Sequence, residues 1–145
     1  MLQRIQSVYL FLGAVAMILF TFLPLYNPLD EGDASRSLWD TLIQSPSTAV
    51  IPIVSLLVTV LSLIVIFQYG NLKRQLRNVN ILICITVTLV LIVGVNIYNA
   101  VTLNGIGSVN LWITALPVSA LLMFVLGRRG VKSDKQLLES ADRIR

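Results

Sequence analysis

Three stretches of this chain contain no charged side chain: Ile5 to Leu29, Thr41 to Leu72 and Asn78 to Gly127, of 25, 32 and 50 residues. The 11 Lys and Arg and the 7 Asp and Glu are bunched into what remains, while 56% of the sequence is hydrophobic. A soluble domain of this size needs a far more polar surface, so the pattern is that of an integral membrane protein.

A helix rises about 1.5 Å per residue, and a hydrocarbon core of about 30 Å therefore takes roughly 20 apolar residues to cross. Ile5 to Tyr26 is the first expected span, ending at the turn pair Asn27-Pro28. Ser47 to Tyr69 is the second, introduced by Ser45-Pro46 and closed by Gly70-Asn71. The longest window holds two spans, because Asn99 to Asn110 interrupts it with Asn104, Gly105, Gly107 and Ser108, all of low helix propensity. The third span is then Val79 to Tyr98. Leu111 to Leu126 forms the fourth, with Val109 and Gly127 as fraying ends, or about 110–127 in all. A membrane β-barrel would alternate apolar and polar residues, and runs such as Leu61 to Phe67 do not. The expectation is an all-α, four-helix membrane bundle over residues 1–127, followed by a basic tail, 128–145, with a short C-terminal amphipathic helix.

Cytoplasmic segments near span ends carry an excess of Lys and Arg. Arg4 precedes the first span, Lys73, Arg74 and Arg77 separate the second from the third, and six more cations follow the fourth. The intervening loop, Asn27 to Pro46, holds Asp30, Glu31, Asp33 and Asp40 against Arg36. Both termini are thus expected in the cytoplasm, which requires an even number of spans. Tyr26, Tyr98 and Trp112 fall at predicted outer ends, as interfacial aromatics should. Ala14-Val15-Ala16 resembles a signal cleavage site, but the apolar run continues past it, so a retained anchor is expected.

The composition narrows the chemistry. There is no histidine and one cysteine, Cys84, which leaves no ligand set for zinc, copper or histidine-bound haem, and no Ser-His nucleophile. Every Asp and Glu lies in a loop or tail, which removes an intramembrane aspartyl pair and the buried carboxylates of proton-coupled carriers. Gly127-Arg128-Arg129-Gly130 has neither the spacing nor the ending of a phosphate loop. Neither a cofactor, a metal nor a nucleic-acid partner is expected.

What remains are two groups of candidates. Ser55, Thr59 and Ser62 recur at i, i+4 and i+7 on the second span, and Pro117 interrupts the fourth. These either line a polar path or pack helices together; the packing reading is preferred. Pro117 is expected to bend its helix or free the carbonyl of Ile113. The inner surface is the stronger feature. The loop Leu72 to Arg77 supplies Lys73, Arg74 and Arg77, and the tail supplies Arg128, Arg129 and Lys132, next to the bilayer where anionic lipid attracts cations. Ser133 to Gln136 fits a capping box opening a short helix with Leu137, Leu138, Ala141 and Ile144 on one face and Glu139 paired to Arg143. On the outer side, Leu38, Trp39, Leu42 and Ile43 form either an amphipathic turn or a plain loop.

The opening Met1 to Leu10 (MLQRIQSVYL), the middle Leu72 to Arg77 (LKRQLR) leading into Asn80-Ile81-Leu82, and the ending Ser140 to Arg145 (SADRIR) resemble a bacterial family of small, four-span inner-membrane proteins of unknown function. The resemblance implies the topology that the charges give, and implies no catalytic or binding residues. The expected function is a non-enzymatic inner-membrane subunit or scaffold whose basic cytoplasmic face contacts a protein partner or anionic membrane lipid. The alternative is a small carrier or binding protein for a neutral or lipidic molecule.

Overall fold

The computed structural model describes residues 3–26, 36–37, 50–68, 70–102 and 109–143. Among them, four helices carry the fold: α1 (Gln3–Phe22), α2 (Val50–Phe67), α3 (Leu72–Thr102) and α4 (Leu111–Arg143). Each is long and apolar enough to cross a bilayer. α1 packs against α2 and α4, and α3 closes the bundle against the same two. Leu10, Met17, Phe20, Val58, Leu89 and Phe124 fill the centre, each all but inaccessible. The outward faces are apolar too, as lipid demands: Phe11, Ile53, Leu91 and Leu122 are exposed.

Two glycine-rich seams bring α1 and α4 together. The Phe124 ring lies directly over Gly13, where any Cβ would collide with it. Cβ atoms at Gly127 and Gly130 would come within 3.2 Å of Leu10 and 3.0 Å of the Gln6 Cβ. Glycine weakens a helix in water, but between membrane helices it permits the close approach that gives van der Waals contact, which hydrophobicity does not supply there.

Helix boundaries depart from the sequence-based expectation in three places. The first span was expected to reach Tyr26, yet α1 stops at Phe22, and Pro24–Tyr26 is an extended strand, β1, paired antiparallel with Arg36–Ser37, β2. Pro24 explains this, because it disfavours helical geometry at the residue before it. Leu25 is buried, and its carbonyl accepts the Asn110 N–H at 3.0 Å, tying this strand to the start of α4. Second, Leu72 to Arg77 is not a loop. It is the first turn and a half of α3, which also runs on to Thr102 through Asn99. Leu, Lys, Arg and Gln are strong helix formers, and the Asn71 side chain caps the turn by accepting the Arg74 N–H at 3.3 Å.

Third, the tail helix does not restart at Ser133. α4 continues unbroken through Gly127, Gly130 and Ser133 to Arg143, so the expected capping box sits in mid-helix. Pro117 is buried inside the same continuous helix. The expected Asn27 to Pro46 loop, apart from Arg36–Ser37, the turn around Asn104, residues 47–49 that begin the second expected span, Ile144, and the side chains of Leu138, Glu139, Ala141 and Arg143 lie outside the described residues.

Candidate functional site

The hydroxyl stripe on α2 faces α1. Ser55 Oγ meets Thr21 Oγ1 at 2.8 Å, and Ser62 Oγ donates to the Leu10 carbonyl at 2.9 Å. Thr59 returns its proton to the Ser55 carbonyl one turn back, at 3.0 Å. All three side chains are buried. Ser55 and Ser62 thus bridge to α1, and Thr59 closes on its own helix. Thr21→Val and Ser55→Ala, made singly and together, are expected to show a coupling of about 0.6 kcal/mol, the usual scale for such bonds in a bilayer. Unfolding free energies in mixed micelles measure it. Asn96 is likewise satisfied within α3, donating to the Ile92 carbonyl at 2.8 Å.

The helix contacts also show which ends lie together. Ser62 lies level with Leu10, Gly130 with Gln6, and Gln75 donates from its amide to the Val65 carbonyl at 3.3 Å. The starts of α1 and α3, the end of α2 and the middle of α4 therefore meet at one end of the bundle. Lys73, Arg74, Arg77, Arg128, Arg129 and Lys132 all emerge there, exposed. At the other end β1 meets the start of α4, where Leu111 and Trp112 project outward. Trp112 is 87% exposed.

The same end holds buried polar side chains that sequence reasoning missed. Gln6, Gln75 and Asp134 are buried, from three different helices. Both side-chain heteroatoms of Gln6, Oε1 of Gln75 and Oδ2 of Asp134 have no hydrogen-bond partner among the described residues. Asp134 falls in the expected tail, and its burial follows only once α4 continues unbroken past Gly127. Its spacing from Gly127, Gly130 and Val131 was the available signal: all four recur on the face turned to α1 or the core.

Past Asp134, α4 leaves the bundle. Its 33 residues span about 50 Å, well beyond a hydrocarbon core of about 30 Å. Gln136, Leu137 and Ser140 on this extension are exposed, Leu137 by 54%. Among the described residues, no group of three or more His, Cys, Asp or Glu stands together.

Four apolar helices in a close bundle, with Lys73, Arg74, Arg77, Arg128, Arg129 and Lys132 gathered at one end, define a multi-pass membrane protein of the four-helix-bundle class. No curated protein and no solved structure matches the chain. Its sequence from residue 2 to 144 matches the family model described as Domain of unknown function (DUF4293), and the chain belongs to that family.

Proposed function

We propose that this protein is a non-enzymatic subunit or scaffold of the bacterial inner membrane, with both termini and the basic end in the cytoplasm. The α4 extension is its docking element for a protein partner. The observation that carries the reading is the unbroken course of α4 out of the bundle, with Leu137 exposed past Asp134, the last buried position of α4 among the described residues. A helix that runs on from a span without a break projects from the bilayer rather than lying on it, so Leu137 faces the aqueous phase. Few isolated turns of helix are stable in water, and this one is held by the span behind it. The gathering of cations at this end supports the cytoplasmic orientation. The bonds made by Ser55, Thr59 and Ser62 support packing and weigh against the carrier alternative.

The test removes residues 137–145 while keeping Val131 and Asp134, which belong to the buried layer. Purified in mild detergent, the full chain is expected to bring down one stoichiometric protein partner. That partner should be lost both on truncation and in Leu137→Asp. Retention of the partner after truncation, or no partner from the full chain, contradicts the reading.

A further inference from the structure

We propose that the outward face of α3 is the contact between two copies of this chain, paired side by side in the bilayer about a two-fold axis along the membrane normal. This pairing rests on the helices crossing a bilayer, and is independent of the partner assigned to the α4 extension.

At about 100° per residue, Asn80, Cys84, Val87, Leu91, Gly94 and Tyr98 fall within an arc of about 80° on α3. All six are exposed, opposite the buried Leu82, Thr86, Leu89 and Val93. Their spacing alternates between four and three residues, the seam along which two helices pack knobs into holes. What sets this face apart is its chemistry. The outward faces of α1 and α2 carry bulky apolar side chains that suit lipid, such as Val8, Phe11, Ile53 and Leu57. α3 instead presents an amide, a thiol and a glycine among its apolar residues.

The amide is unpaired. Asn78 and Asn96 on the same helix donate theirs to Gln68 Oε1, at 2.6 Å, and to the Ile92 carbonyl, at 2.8 Å. Asn80 has no hydrogen bond among the described residues, although it lies about one turn inside Arg77 on the face turned to lipid. A polar group there gains from a partner on another helix. Gly94 is likewise out of place in a single copy. Gly13, Gly127 and Gly130 each lie against a neighbouring helix, whereas a Cβ at Gly94 would meet nothing within 4 Å. Glycine weakens a helix, and in a membrane it lets a second backbone approach closely.

A second copy is the occupant that fits. It inserts with the same orientation, so the two α3 helices run parallel and each seam residue meets its own counterpart. An amide both donates and accepts, so Asn80 opposite Asn80 satisfies both groups, as a single Asn does in the seam of a two-stranded coil. Covering the face would bury roughly 600 Å² per copy, or about 1,200 Å² in all, the lower limit of stable interfaces. This surface is free on α3, which buries a smaller share of its span than any other helix. Lys73 and Arg77 continue the face beyond the hydrocarbon, where water and salt screen their repulsion.

Cys84 lies in the seam and is the one cysteine of the chain, so oxidation reads the contact directly. The full chain is placed in phosphatidylcholine vesicles and treated with copper phenanthroline. The expected result is a disulfide between two Cys84 residues whose yield holds over about tenfold dilution with lipid, because facing seam positions bring Cα atoms within about 7 Å. In a Cys84→Ala background, Val87→Cys and Leu91→Cys also cross-link. Leu57→Cys on α2 and Leu122→Cys on α4, at similarly exposed positions, do not. Asn80→Leu raises the protein-to-lipid ratio needed for half the Cys84 yield about fivefold, and Gly94→Leu at least about tenfold. Both side chains point into lipid in a single copy, so neither substitution lowers the unfolding free energy in excess micelles, which separates loss of the contact from loss of the fold. Deleting residues 137–145 leaves the cross-link in place, whatever happens to the protein partner. A yield that falls in proportion to dilution, equal cross-linking at Leu57→Cys and Leu122→Cys, or full yield from both Asn80→Leu and Gly94→Leu at every dilution would overturn the pairing.

Discussion

Gly13→Leu is expected to separate α1 from α4 and lower the stability of the bundle by about 2–3 kcal/mol, the upper part of the usual range for overpacking. The Phe124 ring occupies the space a side chain at Gly13 would need, and Phe124 is completely buried. The ring therefore cannot swing into solvent or lipid to make room. The reciprocal change, Phe124→Ala, opens a void on the order of 100 Å³ and costs about 2 kcal/mol. That figure is the cavity contribution alone, because an unfolded membrane chain leaves its phenylalanine in lipid and little transfer energy is at stake. The two sites share one volume, so the double variant should be less unstable than the sum by about 1–3 kcal/mol. Unfolding in mixed micelles measures all three. Additive effects would mean that Phe124 does not lie over Gly13.

Gln6→Met is expected to raise stability, by about 1–2 kcal/mol. Methionine keeps the length and shape of glutamine, and so should preserve the close contact with Gly130. It removes a buried amide whose two heteroatoms have no partner among the described residues. Leaving such a group desolvated in the folded state is costly, whereas the apolar isostere carries no such penalty. The same unfolding assay decides the sign. A loss of stability would show that the amide is engaged by a group that the helix packing alone does not provide.

The fold was largely readable because lipid makes a simple demand: runs of about 20 residues without charge must be helices, and cations mark their ends. The stripe Ser55, Thr59, Ser62 was readable as a packing face for the same reason, since a hydroxyl in lipid needs a partner. That Ser62 donates to the backbone of Leu10 was not, because nothing in local spacing says which helix lies opposite. Boundaries failed where local rules conflicted. Pro24 ended α1 earlier than hydropathy suggested, and Leu72 to Arg77 became helix despite its charges. The glycines flanking Arg128 and Arg129 looked like the end of a span. Their role as a seam against Leu10 and Gln6, and with it the burial of Asp134, depends on tertiary contact between residues more than a hundred positions apart.

The proposed topology has the helices crossing the membrane with the basic end in the cytoplasm and the Asn110 end outside. In a Cys84→Ala background, single cysteines at Asn110, Lys73 and Lys132 can be probed in intact cells with a membrane-impermeant thiol reagent. Asn110→Cys should be labelled from outside, and Lys73→Cys and Lys132→Cys only after the cells are opened. Labelling of Asn110→Cys and Lys132→Cys from the same side, or of Lys73→Cys and Lys132→Cys from opposite sides, would contradict the account.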